Sequence, residues 1–153
     1  MRAYQHTQHS YLMFVVGGLM LVWMVTSAII FEGAVWISVV TALIVAVAFA
    51  MFLRLRTSVD RKAVRVGFTF GWPQRTIAIK DIESHEAVRN KWYYGWGIRR
   101  IPGGWMFNVW GLDAVDVTYR AKGKTKTLRI GTDDPTGLDA AIAAAVASRP
   151  TTG

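Results

Sequence analysis

The hydrophobic pattern of this chain changes character at Leu53. From Tyr11 to Leu53 the sequence is almost continuously apolar, and Glu32 is its one charged residue. From Arg54 onward, apolar and polar residues alternate in short runs that Gly and Pro separate. A long apolar run predicts a helix in lipid, whereas alternation predicts half-buried strands. The sequence therefore predicts two regions that fold in different solvents.

The apolar region has the length of two membrane-spanning helices. The runs 11–31 and 34–53 flank Glu32-Gly33, and each would extend about 30 Å as a helix, the thickness of a bilayer's hydrocarbon core. We therefore expect a transmembrane hairpin over residues 11–53, with its turn at Glu32-Gly33. A cleavable signal peptide fits less well, because the first run is long and no clear cleavage site follows it. A buried hairpin of a soluble protein would need a larger polar shell than this chain supplies.

Basic residues predict the orientation of the hairpin. The chain has 18 Lys and Arg against 10 Asp and Glu, and only Arg2 and Glu32 of these precede Arg54. Five basic residues follow the second run closely, in a predicted juxtamembrane linker over 54–62 and just beyond it: Arg54, Arg56, Arg61, Lys62 and Arg65. The positive-inside rule then places both termini, including a tail over residues 1–10, in the cytoplasm. The same five cations either set topology alone or also contact anionic lipid.

The alternating region predicts about seven short antiparallel strands and one terminal helix, over 63–149. Asp134 before Pro135 is typical of a helix start, and Leu138, Ile142 and Val146 then form an apolar stripe. Residues 150–153 are predicted to form a C-terminal tail. Seven strands closed by one C-terminal helix are the pattern of a pleckstrin-homology (PH) fold. The predicted class is thus an α+β membrane protein: a two-helix transmembrane hairpin, then a seven-stranded antiparallel PH-like β-sandwich or barrel capped by an α-helix.

Three short motifs carry a resemblance to a known group. They are Gly95-Trp96-Gly97-Ile98-Arg99, Ala114-Val115-Asp116-Val117, and the segment from Arg129 to Pro135. With the two apolar runs before them, these motifs resemble small bacterial membrane proteins that carry a PH-like domain. The resemblance implies a multi-pass protein of the bacterial cytoplasmic (inner) membrane. It also implies a binding or scaffold domain, often oligomeric in soluble relatives, and no catalyst.

An aromatic and glycine-rich stretch is the most distinctive feature of the polar region. Trp and Tyr favour both protein interfaces and the membrane surface, because one end is apolar and the other tolerates water. The candidate contact residues are Trp92, Tyr93, Tyr94, Trp96, Arg99 and Arg100. Gly95 and Gly97 indicate unusual backbone angles, and the arginines favour cation–π contacts. The competing interpretation is that two or three of these rings fill the core of the domain.

Other functions have little support in the sequence. The loop Gly71–Gln74 has a single cation after it, Arg75, which disfavours specific phosphoinositide binding. The chain has no Cys, and neither the His6/His9 pair nor His85 has enough neighbours for a metal site. No nucleophile or phosphate-loop motif occurs, so no enzyme, cofactor or small-molecule substrate is expected. A membrane anchor disfavours nucleic acid as a partner.

We expect a non-enzymatic scaffold or accessory subunit that binds another membrane protein or itself, or alternatively a domain that senses or organises anionic lipid.

Overall fold

The computed structural model describes residues 2–30 and 35–149, which fold into nine strands and three α-helices. Strand β1 (Arg2–His9) precedes helices α1 (Tyr11–Ile30) and α2 (Val35–Phe52). Eight strands then follow: β2 (Arg54–Asp60), β3 (Ala63–Phe68), β4 (Gln74–Ala78), β5 (Ile82–Arg89), β6 (Gly97–Ile101), β7 (Gly104–Asn108), β8 (Asp113–Ala121) and β9 (Lys124–Gly131). Helix α3 (Pro135–Ala147) closes the order, and short 3-10 turns lie at Ile79–Asp81 and Trp92–Tyr94.

The strands form two sheets, of four and five strands. The first has the order β1-β2-β3-β4 and is antiparallel throughout. The second has the order β5-β8-β9-β7-β6, in which β7 and β9 run parallel and the other pairs antiparallel. The prediction of a seven-stranded, fully antiparallel sandwich or barrel is therefore wrong in strand number and in one pairing.

The two missed strands are the segments that the sequence analysis treats as a tail and a basic linker. In β2 the buried Leu55, Thr57 and Val59 alternate with exposed or polar positions, but its arginines resemble a topology signal. In β1 the inward Tyr4 packs against the core, but His6 and Gln8 on the same face are polar, and Gln8 is among the buried residues. Alternation of apolar and polar residues is the usual sequence signal of a strand, so the sequence does not identify either segment as a strand.

The helix pair is inserted between two paired strands. His9, the last residue of β1, lies opposite Arg54, the first of β2, and the amide of Ser10 donates to the carbonyl of Leu53 at 3.0 Å. Helix α2 is long and apolar enough to cross a membrane, with a mean hydropathy of 2.6, and none of its residues is buried. The predicted turn at Glu32-Gly33 lies outside the described residues.

The core lies between the sheets and beneath α3. Its large side chains include Phe68, Phe107 and Ile130, and α3 adds Leu138 and Ile142, both fully buried. The predicted helix start is confirmed: Pro135 begins α3, and the side chain of Asp134 accepts a hydrogen bond from the amide of Gly137 at 2.9 Å. Such a cap satisfies one of the free amides of the first turn.

Candidate partner-binding surface

The aromatic turn, residues 91–96, projects between β5 and β6 from a fixed base. At its start, the amide of Asn90 donates to the carbonyl of Leu112 at 2.6 Å. The side-chain oxygen of Asn90 accepts from Arg129 at 3.2 Å, and Arg129 also makes two 2.6 Å hydrogen bonds to Asp116. The paired carboxylate raises the pKa of Arg129, which keeps this cation charged. The turn therefore starts from a partly buried ionic network that joins β8 and β9.

Two glycines give the aromatic turn its shape. Gly95 has φ of +66° and Gly97 has φ of +94°, a region that L side chains rarely adopt. This confirms the unusual backbone angles expected there. A side chain at Gly95 would also stand 3.5 Å from the guanidinium of Arg99, whose Nε donates to the carbonyl of Trp96 at 3.4 Å. The exposed Arg99 side chain thus lies against the backbone of the turn.

The outer rings of the turn face solvent. Trp92 is 80% exposed and Tyr93 is 58% exposed. The two rings meet edge to face with centroids 6.0 Å apart, and Tyr93 meets Tyr94 in the same way at 5.1 Å. Lys91 places its Nζ 5.8 Å from the centroid of Tyr93, and the Tyr93 side chain raises the pKa of Lys91. Two large aromatic surfaces beside a permanent cation are therefore free to make contacts.

Trp96 has a different place from Trp92 and Tyr93. Its ring stacks on that of Trp110, with centroids 5.6 Å apart and planes within 13°. Trp110 is held from both sides, because its amide donates to Asn108 at 3.2 Å and its carbonyl accepts from Gln8 at 2.8 Å. Trp96 therefore ties the turn to the domain and to β1. Sequence reasoning did not single out Trp110, since only the fold brings it to Trp96.

The predicted contact residues do not all lie on one face of the domain, because Arg99 and Arg100 alternate along β6. Arg99 and Arg100 are neighbours in a strand, so their side chains leave it on opposite faces. Arg99 lies with the aromatic turn, whereas Arg100 pairs in register with Trp105 on the other face. Trp92, Tyr93, Tyr94 and Arg99 thus form one surface, from which Arg100 is separated.

The five predicted basic residues are not gathered at one place. Arg54 and Arg56 are exposed in β2 at the end that adjoins α2. Arg61 and Lys62 occupy the turn at the opposite end of β2, about 20 Å along a strand of this length. Arg65, in β3, forms an ion pair with a carboxylate of β2. Only Arg54 and Arg56 therefore lie beside the end of the helix.

A second group of exposed aromatic residues lies beside the end of α2. The amide of Thr69 donates to the carbonyl of Met51 at 3.3 Å, and the Thr69 hydroxyl accepts from the amide of Arg54 at 3.2 Å. These bonds hold the β3–β4 turn against the base of the helix. Phe70 is 68% exposed and Trp72 is 69% exposed in this turn. The sequence does not indicate this group, because no local pattern links the turn to α2.

The histidines serve as links between elements. His6 contacts Asp133, and His85 lies 2.7 Å from Asp139 of α3. His6 and His9 are three residues apart in a strand, so they leave β1 on opposite faces and cannot clamp one ion. Within residues 2–30 and 35–149, no three His, Asp or Glu side chains come together as metal ligands.

Comparison with family models, with curated proteins and with solved structures gives no match to this chain.

Proposed function

We propose that this chain is a membrane-anchored interaction protein whose aromatic turn binds another membrane protein or a second copy of the chain. The observation that carries the proposal is the exposure of Trp92 and Tyr93 on a turn whose base and end are both fixed. Rigid aromatic side chains bury large areas at little cost in conformational entropy, which is why they dominate interface energies. The core does not need these two rings. The proposed role is that of a non-enzymatic scaffold or accessory subunit.

The proposed anchor is a hairpin in which α1 and α2 both cross the bilayer. The pairing of His9 with Arg54 supports it, because the chain leaves and rejoins the sheet at one point, and a single crossing would not bring it back. The exposed apolar surface of α2 also supports it. A cleaved signal peptide is disfavoured, since cleavage after α1 would remove β1 from the first sheet.

The proposed location is a bacterial cytoplasmic membrane, with both termini and the β domain in the cytoplasm. Arg54 and Arg56 lie where α2 ends, whereas Glu32-Gly33 contains no basic residue. The positive-inside rule assigns the basic end to the cytoplasm.

We retain the PH-like relation as part of the proposal. Strands β3 to β9 followed by α3 have the chain order that the relation implies, and α3 covers the core. The departures are the added strands β1 and β2 and the parallel pairing of β7 with β9. The relation favours a binding role and names no ligand.

Site-specific photo-crosslinking in intact cells tests the partner. A photoreactive phenylalanine analogue at Tyr93 should give one adduct of discrete mass, and the same analogue at Lys122, in the distant β8–β9 turn, should give none. An adduct near twice the chain's 17.1 kDa would identify a second copy. Adducts absent from both positions would contradict the proposal.

The matching variant is Trp92→Ala/Tyr93→Ala, with Phe70→Ala/Trp72→Ala as control. Both pairs remove two exposed aromatic rings, so both variants should unfold at the wild-type temperature. Loss of interface aromatics typically costs about 2 kcal/mol or more, which is about thirtyfold in affinity. The first variant should lose the partner in mild detergent, and the second should retain it. A folded first variant with wild-type partner stoichiometry would refute the assignment.

A second candidate function, contact with anionic lipid, is supported by the turn beside α2. Phe70 and Trp72 lie at the level where α2 ends, close to Arg54 and Arg56. Exposed aromatics and cations at the end of a spanning helix are the groups that favour the membrane interface.

A further inference from the structure

A cleft opens where the two sheets part. Strand β4 ends the first sheet and β6 ends the second, and no strand pairing joins these edges in the part of the chain that the structure describes. The cleft between them has a volume of about 440 Å³ and is lined from β4, β6, β7, β8 and β9. Its size is that of a small-ligand site.

Three cations line the cleft, each from a different strand. Arg75 is two residues before the buried Ile77, and Lys126 is two residues before the buried Leu128. Because side chains alternate along a strand, both cations lie on the inward-facing side. Arg100 likewise follows Ile98, which packs against the core. The inward-facing side chains of β4, β6 and β9 therefore include one cation each at the cleft, namely Arg75, Arg100 and Lys126.

The positive charge of the cleft has no negative partner among the residues that line it. No carboxylate is among the residues that line it. Across residues 2–30 and 35–149, the ion pairs do not include Arg75, Arg100 or Lys126. Like charges that converge on one cleft repel each other and raise the local concentration of anions. The cleft is therefore suited to an anionic ligand, and Trp105, 44% exposed, offers it an apolar wall.

An apolar groove adjoins the cationic cleft and shares Arg75 and Trp105 with it. The remaining walls of the groove are Trp72, Pro73, Gln74, Ile98 and Phe107. Its outer end is therefore the β3–β4 turn, which is hydrogen-bonded to the last turn of α2 through Thr69. An apolar path thus leads from the level of the membrane surface to three cations.

We propose that this cleft binds the anionic head group of a membrane lipid, with the first part of the lipid's apolar portion along the groove. Arg75, Arg100 and Lys126 hold the phosphate, and Trp72 and Trp105 line the path from the bilayer. Arginine pairs with phosphate through two parallel hydrogen bonds, and lysine adds a point charge. The inference uses the membrane anchor of the proposed function and is independent of its protein partner.

Native mass spectrometry of the full-length protein in a neutral detergent tests the site. Phosphatidylglycerol is added, with phosphatidylcholine as the zwitterionic comparison. The wild type should retain one phosphatidylglycerol and no phosphatidylcholine. Arg75→Gln/Arg100→Gln/Lys126→Gln should bind at least about tenfold more weakly. The control Arg61→Gln/Lys62→Gln/Lys122→Gln removes the same charge from the β2–β3 and β8–β9 turns, at residues that do not line the cleft, and should bind as the wild type does.

Two further measurements identify the source of the anion and the path. Trp72→Ala/Trp105→Ala should weaken phosphatidylglycerol binding, because the groove loses its walls. Inorganic phosphate at the same concentration should not compete, since it lacks an apolar portion. Equal loss in both triple variants, or wild-type binding by the cleft variant, would overturn the site. Full competition by inorganic phosphate would replace the lipid with a free anion. None of these lipid-binding measurements depends on the aromatic turn. Failure of the lipid site can therefore be distinguished from failure of the proposed protein partner.

Discussion

At the scale of the residue, Tyr4 joins the N-terminal strand to the start of α3. Its hydroxyl donates to Asp134 at 3.0 Å, and Asp134 also caps α3 through Gly137. Burial, followed by the hydrogen bond to Asp134, raises the pKa of Tyr4 well above its usual range. Unfolding therefore makes the Tyr4 proton easier to release. The resulting stability is complete below pH 10, the ordinary pKa of tyrosine, and declines as the pH rises above it.

Tyr4→Phe should reveal this contribution. We expect the free energy of unfolding to fall by about 1 kcal/mol at neutral pH, because a partly buried hydrogen bond is lost. We also expect a smaller decline in stability between pH 10 and 11 than in the wild type. Denaturant unfolding of the detergent-solubilised protein across that range provides the measurement. Tyr11→Phe, at a ring that is 70% exposed, should leave the decline unchanged. An identical alkaline decline in Tyr4→Phe would contradict the linkage.

At the scale of the element, the parallel pairing of β7 with β9 depends on Gly104. A Cβ at this position would lie 1.6 Å from the backbone oxygen of Thr127, far inside van der Waals contact. The two strands can approach only because position 104 has no side chain. A shift of β7 would also displace the cleft wall at Trp105, the next residue.

Gly104→Ala should therefore destabilise the domain by about 3 kcal/mol, at the upper end of overpacking effects, because backbone atoms have to move. Thermal unfolding followed by far-ultraviolet circular dichroism measures the loss. Gly18→Ala in α1 is the matched control, since no atom lies within 4 Å of its Cβ position. That control should unfold at the wild-type temperature or slightly above it, because alanine favours a helix more than glycine does. Equal midpoints for the two variants would mean that β7 and β9 do not approach as described.

At the scale of the whole molecule, the first sheet and the helix pair depend on each other. Strand β1 reaches β2 only through the helices between them, so the helix pair determines which residues can complete the sheet. If both helices cross the bilayer, β1 and the rest of the domain must share one compartment. Orientation and folding of the domain are then coupled.

Cysteine labelling checks this arrangement, because the natural chain contains no Cys. His9→Cys, at the end of β1, and Lys122→Cys, in the β8–β9 turn, should react with a membrane-impermeant maleimide only after the cells are permeabilised. Gly33→Cys, between the proposed spans, should react in intact cells. Labelling of His9→Cys and Lys122→Cys from opposite sides would refute the hairpin. Labelling of both from outside would reverse its orientation.

The local elements were determined by the sequence itself. Helix α2 follows from a continuous apolar run, strands such as β3 and β8 follow from apolar alternation, and the start of α3 follows from Asp134 before Pro135. Gly95 and Gly97 similarly indicated a turn of unusual backbone shape. Each of these signals lies within a few residues, where side-chain alternation and capping act directly.

Only the tertiary structure decided which distant segments meet. It paired β1 with β2, placed β7 parallel to β9, stacked Trp96 on Trp110, and brought Arg75, Arg100 and Lys126 to one cleft. The physical reason is that a strand's partner depends on how the whole chain buries its apolar faces, which no local period records. A polar strand such as β1 is stable only because β2 is already beside it.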